Sequence, residues 1–415
     1  MALNAAIVWE VRTSGNNNNG GGFKAGASGT DRSQQDAAHL SFTDLEVKGA
    51  VYTRVYSVTE NANLVATCIG NLIHITGDGG SGLFTVGFYE VTGQGNDGNN
   101  YLDIDRNCAT GNASDGIAAL GGAVADLLEI DSVVVAGNTM YVKAGTYAHA
   151  SALSVNNGTA SLYIKTIGYN TARGDAPTGD NRPLIQDGGN EQKWGTYNEI
   201  ENFRRTGSHT YGIYTLNYCV IRNCKSTVAA NTRCFRYGAG SVVIDCEAIG
   251  PGTLGIGFES SGGGSFTIAC YAEGLNRGYE HVIGNEVVAF CTFDTCTYGW
   301  YGNNVNGRPG CKILNNNFYN SSNTGVYGNY GGQTAYSWLV LNNQFVDCGV
   351  GMQITISSPG VYLDFNNFFN NTTDVTNVIK GANTTANNPG YTNAPAGDFS
   401  GVDSADGFGI RLGVG

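Results

Sequence analysis

Residues 313–318 read ILNNNF, residues 340–345 VLNNQF and residues 363–368 LDFNNF. Four earlier segments share the shape: VIRNCKS (220–226), VIDCEA (243–248), TIACYA (267–272) and VAFCTF (288–293). Aligned, they give a column of Cys224, Cys246, Cys270, Cys291, Asn316, Asn343 and Asn366, at steps of 22, 24, 21, 25, 27 and 23 residues. Two places later stand Ser226, Ala248, Ala272, Phe293, Phe318, Phe345 and Phe368, and two places earlier the residues are mostly aliphatic: Ile244, Ile268, Ala289, Leu314, Leu341. Alternation of this kind inside a longer repeat is the mark of strands with one buried face.

A second column, eight or nine residues on, is glycine: Gly255, Gly278, Gly299, Gly325 and Gly351, with Gly212 earlier and Cys234 in the slot between. It marks where another strand starts. So short a unit cannot bury a face alone, whereas stacked coils share one continuous core. The repeat therefore predicts an all-β chain built as a single-stranded parallel β-helix. Parallel crossovers are right-handed as a rule, so a right-handed helix is expected.

Like residues in neighbouring coils stack about 4.8 Å apart. Inward asparagine amides at that spacing hydrogen-bond up the ladder. The thiols sit too far apart for a disulfide and are expected to be buried and free.

Composition narrows the function classes. Charged residues make up 13% of the 415 residues, glycine numbers 62 and proline 7, so the chain relies on turns and uncharged ladders. A net charge of −12 with no basic run argues against nucleic acid or an anionic membrane as partner. Eleven cysteines, an odd number and mostly at ladder positions, do not look like a secreted disulfide framework. No CxxC pair has a matching partner pair, so neither a structural metal nor a cofactor is predicted. The opening MALNAAIVWEVR lacks the pattern of a signal peptide, and no stretch of 18 apolar residues suggests membrane insertion. Synthesis in the cytoplasm follows as an expectation.

In order along the chain, the sequence predicts an N-terminal arm with one short strand (1–48), a small β module (49–110), a capping helix (111–130), the parallel β-helix (131–380) and a C-terminal cap or tail (381–415). The helix rests on GNASDGIAALGGAVADLLEI with Ser114 or Asp115 as N-cap. Residues 13–35 are too rich in glycine and asparagine to bury an apolar face, and 407–415 form a short alternating tail. At least one terminus, 1–35 first, is expected to be ordered by another subunit through β-augmentation.

The string V-x-x-G-x-Y, present as Val142, Gly145 and Tyr147, resembles the first-coil signature of the pectin-lyase-like right-handed β-helix superfamily. The resemblance covers about residues 130–380. It implies the fold, and a range of roles that includes pectate lyases, polygalacturonases, other polysaccharide-cleaving enzymes, bacteriophage tailspikes and non-catalytic virion proteins. The opening WEVRTSGNNNNGGGF with SQQDAA is similar to the start of phage-type β-helix proteins.

Members with activity display carboxylates and basic residues on one outward ladder. Of the places flanking the Cys and Asn column, only Lys225, Asp245 and Glu247 are charged together. Asp245 and Glu247, two apart on one strand, would hold their carboxyls roughly 5.5–7 Å apart, with Lys225 stacked beside Glu247. A surface salt ladder explains the same three residues. Strings resembling a polygalacturonase site (Asn-Thr-Asp, paired aspartates, Gly-His-Gly, Arg-Ile-Lys) or a pectate-lyase site are absent, the nearest fragment being Arg308-Pro309. His281 reads as a neutral packed or exposed histidine. Tyr214, Tyr301 and Tyr327 share the slot after the glycine column and are candidates for sugar binding or a subunit interface. The leading expectation is a non-enzymatic structural protein of a phage-like virion exterior (decoration, fibre or tailspike type), homo-oligomeric and associated with other virion proteins. The alternative is a polysaccharide lyase or hydrolase, or a carbohydrate-binding spike acting on a surface glycan.

Overall fold

The computed structural model describes residues 3–229, 232–282, 284–304, 310–330, 338–355, 360–394 and 398–401. Residues 308–309 and 407–415, on which two of the sequence readings fall, lie outside the described residues. The fold is a parallel β-solenoid of about nine turns. Contacts divide the chain into two units, residues 1–147 with 153–184, and residues 148–152 with 185–415.

In the first unit, the strand Ile7–Val11 pairs parallel with Thr139–Lys143 and antiparallel with Gly22–Lys24. A six-stranded antiparallel sheet forms the β module, in the order Leu40–Val47, Ala113–Leu120, Leu72–Gly77, Gly87–Asn96, Asn100–Ile104, Arg54–Val55. Its core includes Phe42, Leu45, Ile73, Ile75, Val91, Leu102 and Leu120.

One expectation fails here. The predicted capping helix at 111–130 is instead the strand Ala113–Leu120, held between Leu40–Val47 and Leu72–Gly77. Pairing on both edges outweighs the weak helical preference of a segment interrupted by Gly116 and ending at Gly121 and Gly122. Only one 3-10 turn, Leu127–Glu129, remains of it, and its N-cap is Asp126, which accepts from the Leu128 N–H at 3.0 Å. Residues of the N-terminal arm also make hydrogen bonds within their own chain. Gly20 and Gly21 N–H groups donate to the carbonyls of Gly121 and Gly122, and Asn19 Nδ2 donates to the Ala123 carbonyl at 2.8 Å. A glycine- and asparagine-rich run has little apolar surface to bury, but its backbone and amides are well suited to this kind of stitching.

In the second unit three parallel ladders run side by side. The first extends from Asn198–Glu201 to Val361–Asp364, the second from Arg204–Gly207 to Asn367–Phe369, the third from Gln192–Trp194 to Thr373–Thr376. Every coil adds one strand to each. Within the second ladder the predicted aromatic column forms a stack: Phe293, Phe318, Phe345 and Phe368 lie 5.2, 5.0 and 4.7 Å apart, ring centroid to ring centroid. Glycine opposite makes the room, since a Cβ on Gly299 would stand 2.4 Å from Phe318 Cδ1.

The column of glycines needs one correction. Register places Gly257, not Gly255, opposite Gly278, because Ile256 pairs with Arg277. A larger correction concerns the Cys and Asn column. It does not lie mid-strand but at a corner between the first and second ladders. The residue before each member is left-handed: Asn223, Asp245, Ala269, Phe290, Asn315, Asn342 and Phe365 all have φ between 48° and 59°. Asparagine and aspartate tolerate that region best, which accounts for four of the seven.

The chemistry assigned to the column holds. All eleven cysteines are buried free thiols. Those of Cys224, Cys246, Cys270 and Cys291 each donate to the carbonyl two residues back, at 3.2–3.3 Å. The asparagines form the amide ladder, Asn316 Nδ2 donating to Asn343 Oδ1 and Asn343 Nδ2 to Asn366 Oδ1, both at 3.0 Å.

Candidate functional site

Of the candidate trio, the structure brings Lys225 and Glu247 together, with Asp245 at the corner before Glu247. Asp245 is the left-handed corner residue, so the chain turns between it and Glu247, which opens the second ladder. Lys225 and Glu247 are direct partners in register and form an ion pair of 3.1 Å, both partly exposed. Such a pair contributes little. Further along this ladder the outer face is covered by the end of the chain: Tyr391 donates to Asn317 Oδ1, and the Phe399 ring lies 5.3 Å from that of Tyr319.

The outer face of the third ladder is different. Register aligns Tyr214, Arg236, Glu259, Glu280, Tyr301, Tyr327 and Gln353 in one column. A parallel column, three residues earlier in each strand, holds Tyr211, Arg233, Ile256, Arg277 and Tyr298. The tyrosine slot was legible in the sequence. Its charged centre was not, because the step from Gly255 instead of Gly257 missed Glu259, and Glu280, two places after Gly278, went unread.

Glu259 is nearly buried and takes an arginine on each oxygen, Arg233 on Oε2 and Arg236 on Oε1, the latter at 3.1 Å. Glu280 receives Arg277 on Oε1, while its Oε2 is buried without a partner. Burial raises the pKa of Glu280, opposed by Arg277 and reinforced by the neighbouring Glu259. Aromatic rings flank the charges on both sides. Arg236 lies 4.3 Å from the Tyr211 ring centroid and Arg277 lies 3.9 Å from that of Tyr301. Tyr298, Tyr301 and Tyr327 form a triangle with centroids 5.1–5.2 Å apart. These rings are half-buried, each with a face held in place by its neighbours.

A third group lies inside the coil. His281, last residue of its third-ladder strand, has Nδ1 2.6 Å from Glu286 Oε2, and Cys311 Sγ stands 3.3 Å from the same nitrogen. All three are buried, so His281 is packed and not exposed, with a carboxylate and a thiol as its neighbours. Burial lowers the tendency of His281 to hold a proton, but Cys311 and Glu286 outweigh it and push its pKa up to about 10.

No protein-family model and no curated protein matches the chain. Among solved structures it is similar to pectate lyase Pel9A, at 13% identity over 66% of this chain and 79% of that one with a TM-score of 0.45. A rhamnogalacturonan lyase matches at 15% identity over 60% and 70% with a TM-score of 0.34. The ORF18 protein of Geobacillus virus E2 matches at 12% over 63% and 55%, with a TM-score of 0.33. Three parallel ladders joined by corners with left-handed residues make the fold a parallel β-helix.

Proposed function

We propose that the protein is a glycan-binding β-helix of the exterior spike or fibre kind, with the outer face of the third ladder as its binding surface. One observation carries this reading: the register column Tyr214, Arg236, Glu259, Glu280, Tyr301, Tyr327. Its residues recur at about 4.8 Å per coil, so the face presents a line of sites and suits a polymer of similar units better than one compact ligand. Tyrosine faces stack on the apolar side of a sugar ring, while arginine and carboxylate groups meet its hydroxyls. The arginines are pre-positioned by Glu259 and Glu280, which lowers the entropy lost on binding.

Membership of a phage-like particle is the context in which such a spike works, and peptide mapping of purified particles tests it. The surface itself is tested by affinity electrophoresis through acidic and neutral polysaccharides. Retardation by at least one of them is expected, reduced at least tenfold in affinity by Tyr301→Ala with Tyr327→Ala and unchanged by Lys225→Ala. Equal retardation of all variants, or none by any polysaccharide, overturns the proposal.

A further inference from the structure

Left-handed residues recur at the corners between ladders from coil to coil. At the corner between third and first ladders the left-handed positions are Tyr197, Tyr218, Gly240, Gly264, Asn285 and Gly310. The inward residues after them are Asn198, Cys219, Ser241, Ser265, Glu286 and Cys311. Glu286 is the one carboxylate among these six and is 1% exposed. The third-ladder column of Thr215, Tyr237, Ser260, His281 and Gly302 brings an imidazole to the same level.

A nucleophile relay does not explain the trio. In such a relay the thiol and the carboxylate use opposite nitrogens of the imidazole. Here Glu286 Oε2 and Cys311 Sγ both approach Nδ1, at 2.6 and 3.3 Å, and Sγ is 3.5 Å from Nε2 as well. One ring nitrogen offers one lone pair or one proton, which cannot serve both. A cation lying between the three donors satisfies all of them.

Two further facts point the same way. One donor atom from each of His281, Glu286 and Cys311 lies within 4.8 Å of the other two, a separation that metal–ligand bonds of about 2.0–2.3 Å can span after small side-chain rotations. Glu286 also keeps Oε1 buried with no hydrogen-bond partner, while Tyr279 donates to its Oε2 at 2.8 Å. The phenol thus holds the carboxylate through Oε2, the oxygen nearest His281, and Oε1 has no hydrogen bond to lose on turning to a metal, an arrangement in which an outer hydrogen bond orients a ligand.

We propose that His281, Glu286 and Cys311 form a binding site for a divalent metal ion of borderline softness, zinc in the first instance, inside the solenoid. A thiolate, an imidazole and a carboxylate select that class over magnesium or calcium. Three protein donors leave further coordination to a small ligand such as water. The site would tie the third-ladder strand Arg277–His281 to the two corners that follow it.

Zinc content by elemental analysis and cobalt(II) titration followed by the thiolate-to-cobalt charge-transfer band test this on the full chain. Cys311→Ser and Glu286→Ser are suitable variants, because Ser241 and Ser265 already fill the same column in neighbouring coils and folding is expected to persist. The expected result is one metal per chain in the parent protein, with the cobalt–thiolate band abolished by Cys311→Ser and metal affinity reduced at least a hundredfold by either variant. A parent protein that takes up no zinc or cobalt overturns the site and leaves a buried imidazolium–carboxylate pair. Undiminished binding in folded Cys311→Ser assigns the metal elsewhere and overturns it equally.

Discussion

Glu259 and Glu280 face outward as direct partners on adjacent coils, yet Glu259 has an arginine on each oxygen and Glu280 has one arginine and a bare, buried oxygen. Two carboxylates so close, in environments so different, are expected to respond differently to neutralisation. Glu259→Gln leaves Arg233 and Arg236 without their counter-charge and should cost about 1–3 kcal/mol. Glu280→Gln should cost less at neutral pH. With its folded pKa raised, the contribution of Glu280 is full below the ordinary carboxylate range and is lost as pH rises through the folded value. Thermal unfolding of both variants at pH 5 and 7.5 checks this, and a larger loss for Glu280→Gln at pH 7.5 would reverse the assignment.

Asp294, on the second ladder, offers a cleaner pH test. Its pKa is pushed up from 3.8 to about 6, chiefly by burial, with the Tyr271 hydroxyl opposing and Glu273 adding. The fold therefore favours the protonated form, and its contribution is complete below about 3.8 and fades as pH rises through about 6. Asp294→Asn should raise Tm above pH 6, with the advantage closing towards pH 4. Parallel Tm curves for variant and parent would remove Asp294 as the source.

How much of this was legible in the sequence follows from what each feature needs. The ladders needed only one recurring column, and Cys224 to Asn366 supplied it. The corner at Asp245 needed backbone information, although the series Asn223, Asp245, Asn315, Asn342 held the clue, since these types favour left-handed turns. The third-ladder site needed register. Arg233, Glu259 and Arg277 sit in segments that look ordinary separately and meet only when coils are aligned to the residue. The strand at 113–120 was misread because its stability comes from two neighbouring strands and not from local preference.

The amide ladder gives a substitution series. Asn343 donates to Asn366 Oδ1 and to the Ile313 carbonyl, and its own Oδ1 accepts from Asn316. Asn343→Ala strands those groups and should cost about 1–3 kcal/mol. Asn343→Cys should cost less, because a corner thiol donates to the carbonyl two residues back as in the four coils before. Denaturant unfolding of the two variants decides, and equal losses would show that the thiol is no substitute.

Thiol reactivity follows from the same geometry. Burial raises the pKa of Cys108, Cys234 and Cys296 to about 12 in each case, and every other cysteine is buried too. A thiol that is both inaccessible and protonated reacts slowly. Native protein should take up a thiol reagent at least a hundredfold more slowly than unfolded protein, which should titrate all eleven. Fast native labelling of Cys224, Cys246, Cys270 or Cys291 would contradict the inward corner.

The N-terminal segment, read from its composition as an assembly arm, is predicted instead to be a structural strand. Trp9 is fully buried, its indole N–H donating to Asn138 Oδ1 at 3.2 Å, and its ring meets Phe88 edge-on at 5.2 Å. The same strand has ladder partners on both sides, Gly22–Lys24 and Thr139–Lys143. Removing residues 1–35 would expose the edge of Thr139–Lys143 and uncover the apolar residues beneath, inviting association with other chains. Deletion should therefore yield poorly soluble or aggregated protein, not a well-folded particle of altered subunit number. Trp9→Ala is the gentler test, with an expected loss of about 3–5 kcal/mol. A soluble 1–35 deletion with unchanged Tm, or a Trp9→Ala variant of parental stability, would return the segment to the role of a dispensable arm.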